Sequence, residues 1–329
     1  MTEQDPTPAS HTRDQIRTTK RTVEDALIAR PGVVGVDIGE KRSGGSPTGR
    51  QAIVVHVERK RADDDLADSE RIPSEIDGIP TDIVEHRVRL LAGAAAAPQP
   101  SKRVRPLAGG ISLGPATPVT VPIDGQAQLR SVNGTLGVLV YERHTGRTFG
   151  LTNWHVAAGD GLEDVASTWI QPALADGGDP RHDRIGALVR GALTDRIDAA
   201  VVALAPGAPW LPGIVGIGPV TGSGPAAEDA AVRKSGRTTG LTSGVVTSTD
   251  YTTSVDFGPG IGWKTLRDQI RIEPGEGVDA FSAEGDSGSA VVAEDGTVVG
   301  LLWAGEDDGS FSVASPIAVV LDTLGVDVL

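Results

Sequence analysis

The chain has 329 residues, 39% hydrophobic and 22% charged, with no cysteine and a net charge of −14. That is the composition of a globular protein with room for two domains. No apolar stretch reaches the ~18 residues of a membrane span, disulfides are excluded, and the start MTEQDPTPASHTRDQ carries no apolar core like that of a secretory signal. The expected setting is therefore cytoplasmic, with no membrane partner.

In chain order, residues 1–15 are expected to form a disordered tail. IRTTKRTVEDALIAR (16–30) reads as a short helix closed by Pro31-Gly32. GVVGVDIGEKR and QAIVVHVERK read as strands joined by the turn SGGSPTG, and after an acidic loop IPTDIVEHRVRL reads as a third strand. Residues 16–91 thus make a small α+β domain, and the Ala/Pro-rich stretch 92–106 a linker. Residues 1–107 hold 17 basic and 17 acidic side chains, so the remainder, with 13 and 27, carries the whole negative charge. An acidic surface repels phosphates, so no nucleic-acid partner is expected.

From Leu107 short apolar runs recur between Gly and Pro: GTLGVLVYER, RTFGLTNWHV, RIGALVRGAL, DAAVVALAP, SGVVTSTDYTT, IRIEP, GSAVVAEDG and TVVGLLWAG. This is the texture of an all-β barrel or sandwich. Only SPIAVVLDTLGV near the end has helical spacing.

Three residues carry the chemistry. His155 follows a strand in FGLTNWHVAAG; alone, it could be a core histidine. Asp198 stands at the entrance of the apolar run AAVVAL; alone, it could be a turn carboxylate like Asp195. Ser287 sits in FSAEGDSGSAVV (281–292); alone, Gly-Asp-Ser-Gly is turn composition. His182 lies in a polar loop and reads as solvated. A nucleophilic serine needs a base, a group that orients the base, and donors for the oxyanion. The chain offers the first two in the order His, Asp, Ser, which differs from the orders of the subtilisins and the α/β-hydrolases.

In that order and context the sequence resembles the chymotrypsin-like (trypsin-like) serine proteases. LTNWHVAAG, DAAVVAL, GDSGSAVV and VGLLWAG match the histidine, aspartate, nucleophile and cleft segments. KSGRTTGLTSGVV (234–246) is similar to the Arg-Ser-Gly-Arg-Thr-Thr-Gly stretch of α-lytic protease and the streptogrisins. GGISLG (109–114), the N-terminal unit and the closing helix resemble a cysteine-free bacterial branch, similar also to the plant narrow-leaf proteins. The resemblance covers about 107–329.

It implies a mostly β protein: a double six-stranded β-barrel with a C-terminal helix, behind the small α+β domain. It implies a serine endopeptidase acting on protein or peptide substrates without cofactor or metal. His155, Asp198 and Ser287 would be the catalytic triad, and the N–H groups of Gly285 and Ser287 the oxyanion hole. Phe281, Ser282, Trp303 and Ala304 would line an uncharged substrate pocket, which argues against cleavage after Lys or Arg. Leu302 replaces a serine that often supports the aspartate, and Arg233 and Ser243 stand where secreted relatives have a disulfide. Lys234 is expected to pair with the buried Asp286, with Arg237 as the alternative partner. The small domain is expected to gate the cleft or to support a homo-oligomer. A protease-fold binding or scaffold protein with gated activity is the competing reading. An esterase of the α/β type would carry its nucleophile in a Gly-x-Ser-x-Gly elbow, whereas Ser287 sits in Gly-Asp-Ser-Gly-Ser.

Overall fold

The computed structural model describes residues 11–44, 46–91, 101–123, 126–157, 166–258 and 260–329. The chain divides into two compact units: one runs to Arg87 and includes Asp250–Thr253, and the other holds Val88–Thr249 and Ser254–Leu329.

The first unit is built on the helix Arg13–Ile28. It begins earlier than the apolar spacing suggests, because Thr12 and Gln15 form a capping box: each side chain accepts the other's backbone N–H. Residues 12–15 of the expected tail therefore belong to the helix start and its cap, and residues 1–10 lie outside the described residues. The buried face carries Ile16, Lys20, Glu24 and Leu27. Lys20 and Glu24 form a buried ion pair of 2.5 Å, and the Thr252 hydroxyl bonds to both. Val33–Ser43 and Ser46–Val57 are antiparallel, and Ile79–Glu85 runs parallel to the second of them. Thr253 and Thr252 pair with Gly35 and Val36 on the other edge. The expected third strand stops at Glu85, and its continuation Val88–Leu90 lies in the second unit.

The second unit contains two closed barrels. In the first, Ile111–Pro115, Thr168–Ile170, Arg184–Leu193, Asp198–Leu204 and Thr148–Thr152 follow one another, and a bent strand over 134–142 closes the ring. The bend falls at Gly137, where an added Cβ would stand 2.1 Å from the Gly288 carbonyl oxygen, so only glycine lets the strand pass the loop that carries Ser287 and Gly288. In the second barrel the ring runs Ala231–Gly236, Ala290–Ala293, Thr297–Glu306, Ser312–Pro316, Trp263–Pro274 and Gly240–Asp256, with the last pairing back to the first. Each ring has six strands, as the resemblance implies.

One apolar cluster joins the barrels: Val138, Val140, Phe149 and Leu151 from the first meet Ala290, Val292, Val298 and Leu301 from the second. The C-terminal helix Ile317–Leu324 adds Ile317, Val320, Leu321 and Leu324 to the same cluster. Of the expected linker, residues 92–100 lie outside the described residues. Its end is held to the first barrel: Val104 N–H and Arg105 donate to the Gln171 side chain, and Arg103 pairs with Asp183 at 2.7 Å.

Candidate active site

The strand Thr148–Thr152 ends two residues before the one-turn helix Trp154–Ala157, which carries His155. Asp198 opens the strand Asp198–Leu204 and is fully buried. Its side chain receives two bonds from one residue: the His155 backbone N–H donates to Oδ1 at 3.0 Å, and the His155 Nδ1–H donates to Oδ2. Asn153 Nδ2 donates to the Asp198 carbonyl at 2.6 Å and ties the two segments together. The other ring nitrogen of the imidazole, His155 Nε2, lies 3.0 Å from Ser287 Oγ. His155, Asp198 and Ser287, which are 132 residues apart at their extremes in the chain, thus form one continuous hydrogen-bonded line. His182 stays apart, exposed and bonded to Asp179.

The serine's loop is anchored from beneath. Asp286 and Lys234 are both fully buried, with Nζ 3.1 Å from Oδ2. The Asp286 carboxylate also accepts from the N–H groups of Thr238 (2.8 Å), Thr239 (3.2 Å) and Ala283 (3.1 Å) and from the Thr239 hydroxyl (2.7 Å). Lys234 donates further to Thr239 Oγ1 and to the Gly240 carbonyl, and lies 5.9 Å above the Phe281 ring. Burial pulls the Lys234 ammonium below the ordinary lysine range, and the Asp286 charge opposes that pull. Arg237 forms its own buried pair with Asp176, donating from Nε to Oδ2 at 2.9 Å. Gly285 has φ +95°, and a Cβ there would stand 2.4 Å from Thr238 Oγ1. Glycine is thus required both by the left-handed turn and by the space. The Gly285 N–H has an acceptor within the chain, the Leu91 carbonyl at 2.5 Å.

The four residues expected at the pocket are all buried. Phe281 and Ala304 are fully buried, and Ser282 is tied to Ser312 by a hydroxyl pair at 2.6 Å. The Trp303 side chain is buried, donates from Nε1 to Gln269 Oε1 at 2.9 Å, and stacks on Phe257 at 6.0 Å. What Trp303 offers the cleft is its carbonyl, which accepts from Ser287 Oγ at 3.2 Å. Leu302 does not stand in for a supporting hydroxyl. Its side chain belongs to an apolar cluster with Phe281, and its carbonyl accepts from Gly288 N–H. The second donor to the aspartate is the backbone of His155 instead. Phe257, 6.3 Å from the His155 ring, is a site residue with no signal in the sequence, since only the long hairpin of the second barrel brings it there.

No family model matches the chain, and no curated protein matches it. Solved structures do. A glutamic acid specific serine protease is 20% identical, with 67% of this chain and 99% of that one covered and a TM-score of 0.47. Nocardiopsis protease is 17% identical, with 67% and 97% covered and a TM-score of 0.48. Thermobifida fusca protease A is 20% identical, with 66% and 97% covered and a TM-score of 0.45.

Proposed function

We propose that the chain is a serine endopeptidase, on the strength of the single line from Asp198 through His155 to Ser287, with Nε2 and Oγ 3.0 Å apart. Ser287 Oγ attacks the scissile carbonyl carbon while His155 Nε2 takes its proton. His155 returns that proton to the leaving amine, and an acyl-enzyme remains. Water, deprotonated by the same nitrogen, then releases the acid and restores the serine. Asp198 fixes the tautomer and stabilises the imidazolium. The N–H groups of Gly285 and Ser287 bind the oxyanion, and the Lys234–Asp286 pair holds the loop that presents them, so no new N-terminus is needed to form the hole.

Phe281, Ser282 and Ala304 supply no charge to the pocket, which supports a preference for apolar side chains before the cut. The N-terminal unit serves regulation or assembly of this enzyme. The test is hydrolysis of a library of fluorogenic peptides. Activity on apolar residues that disappears in Ser287→Ala supports the reading. Equal hydrolysis by Ser287→Ala, or a dominant preference for Lys, Arg or Glu, defeats it.

A further inference from the structure

Within the second unit the cleft is occupied by its own chain. Val88–Leu90 lies antiparallel to the strand Thr297–Glu306, with Leu90 opposite Ala304, Arg89 opposite Gly305 and Val88 opposite Glu306. Extended peptides are bound by adding a strand to a sheet edge in this way. The pairing runs on into Leu91, whose N–H donates to the Trp303 carbonyl at 3.3 Å. That carbonyl also accepts the Ser287 hydroxyl at 3.2 Å, so Leu91's backbone and the nucleophile meet at one acceptor. On its other side the Leu91 carbonyl oxygen accepts the Gly285 N–H at 2.5 Å, the donor that an oxyanion requires.

The side chain is placed as consistently as the backbone. Leu91 is buried and belongs to the apolar cluster of Val232, Phe281, Leu302 and Ala314. Its Cδ2 passes 3.3 Å from where a Cβ on Gly305 would stand, and Ser282 Oγ is 3.5 Å from the same point. It therefore fills a space beside Phe281, Ser282 and Gly305, the first two of which are among the residues expected to read the side chain before a cut. Two places earlier, Arg89 reaches out to Asp307 at 2.9 Å. Ser287 is fully buried in this arrangement.

From this register we infer that the chain is its own first substrate, cut after Leu91. The inference rests on the reading of Ser287 as the nucleophile. Ser287 Oγ adds to the Leu91 carbonyl carbon as His155 takes the hydroxyl proton. The bond to the nitrogen of residue 92 then breaks, and that nitrogen receives the proton. Water hydrolyses the Leu91 ester, leaving a Leu91 carboxylate, a free Ser287 hydroxyl and a new amino terminus at Ala92. Until it departs, Val88–Leu91 excludes other peptides, so residues up to Leu91 act as a latency segment. The pocket's preferred residue is leucine, with a basic residue favoured two places before it by Asp307.

The test is intact mass and N-terminal sequencing of the purified full chain over time, together with fluorophosphonate labelling and hydrolysis of a Val-Arg-Leu-Leu coumarylamide. The expected result is a fragment beginning at Ala92, formed at a rate independent of protein concentration because the reaction is intramolecular. Ser287→Ala should remain a single chain. Leu91→Asp should be cut about 100-fold more slowly or less, and Leu91→Met, which keeps an apolar filling, within about tenfold of the natural rate. Melting temperatures of the variants separate slow cutting from misfolding. A chain that labels at Ser287 and hydrolyses the peptide, yet stays intact, is cut elsewhere, or is cut equally in Leu91→Asp, overturns the inference and leaves the peptidase reading standing. If neither probe reacts with the natural chain or with any variant, and no fragment forms, both fail.

Discussion

Replacing Lys234 by methionine keeps most of the side chain's volume and removes its charge from beneath the nucleophile loop. Lys234 and Asp286 are both fully buried and 3.1 Å apart, so the aspartate is left charged and enclosed without a cation. Breaking such a pair from one side typically costs about 3–5 kcal/mol. Four other donors remain on Asp286, three backbone N–H groups and the Thr239 hydroxyl, which places the expected cost at the low end, about 3 kcal/mol. For a domain of this size that is a fall of roughly 6–12 °C in melting temperature. Asp286 adjoins Gly285 and Ser287, so if their N–H groups bind the oxyanion as proposed, a shifted loop also costs about 10²–10³ in rate. Calorimetry and peptide kinetics read the two effects separately. Lys234→Met with Asp286→Asn should recover much of the stability, because no lone charge remains. A single Lys234→Met variant within about 1 kcal/mol and threefold of the natural protein would refute a structural role for the pair.

The same pair sets an alkaline limit. Burial lowers the Lys234 pKa, so as pH rises the ammonium is lost earlier than that of a solvated lysine, and kcat/KM should decline on the alkaline side as the pair is broken. Lys234→Arg should move that limb upward in a pH–rate profile, and an unmoved limb assigns it elsewhere. Arg237→Ala should be as destabilising as Lys234→Ala, about 3–5 kcal/mol by urea unfolding, because it strands the buried Asp176. A loss below about 1 kcal/mol would contradict the pairing. Gly305→Val should shift preference from leucine to alanine in a peptide library, since its side chain would enter the space beside Leu91 Cδ2. Unchanged leucine preference would move the pocket away from Gly305.

The strands and the triad were legible because both are written locally. Period-two runs between turn residues define a barrel strand without reference to its neighbours, and His155, Asp198 and Ser287 each sit in a short distinctive context. Lys234 was legible for the same reason, as the first residue of KSGRTTG. What long-range packing decides was not. Arg237 lies three residues from Lys234, yet it pairs with Asp176, 61 residues away, a contact that no local pattern announces. The ring of Trp303 is held by Gln269 and Phe257 while its carbonyl meets Ser287, an arrangement set by residues far away in the chain. Val88–Leu91 reads as the end of a strand from the small domain. Nothing in VRLL distinguishes a strand that completes one sheet from one that lies in the cleft of the next unit.

The central claim is that Ser287 is a nucleophile driven by His155. A fluorophosphonate adduct mapped by peptide mass spectrometry tests it most directly, in the natural chain and in His155→Ala. The account predicts a single adduct on Ser287 that falls by at least about 10³-fold without the imidazole. An adduct on another serine, or equal labelling of Ser287 in His155→Ala, would contradict it.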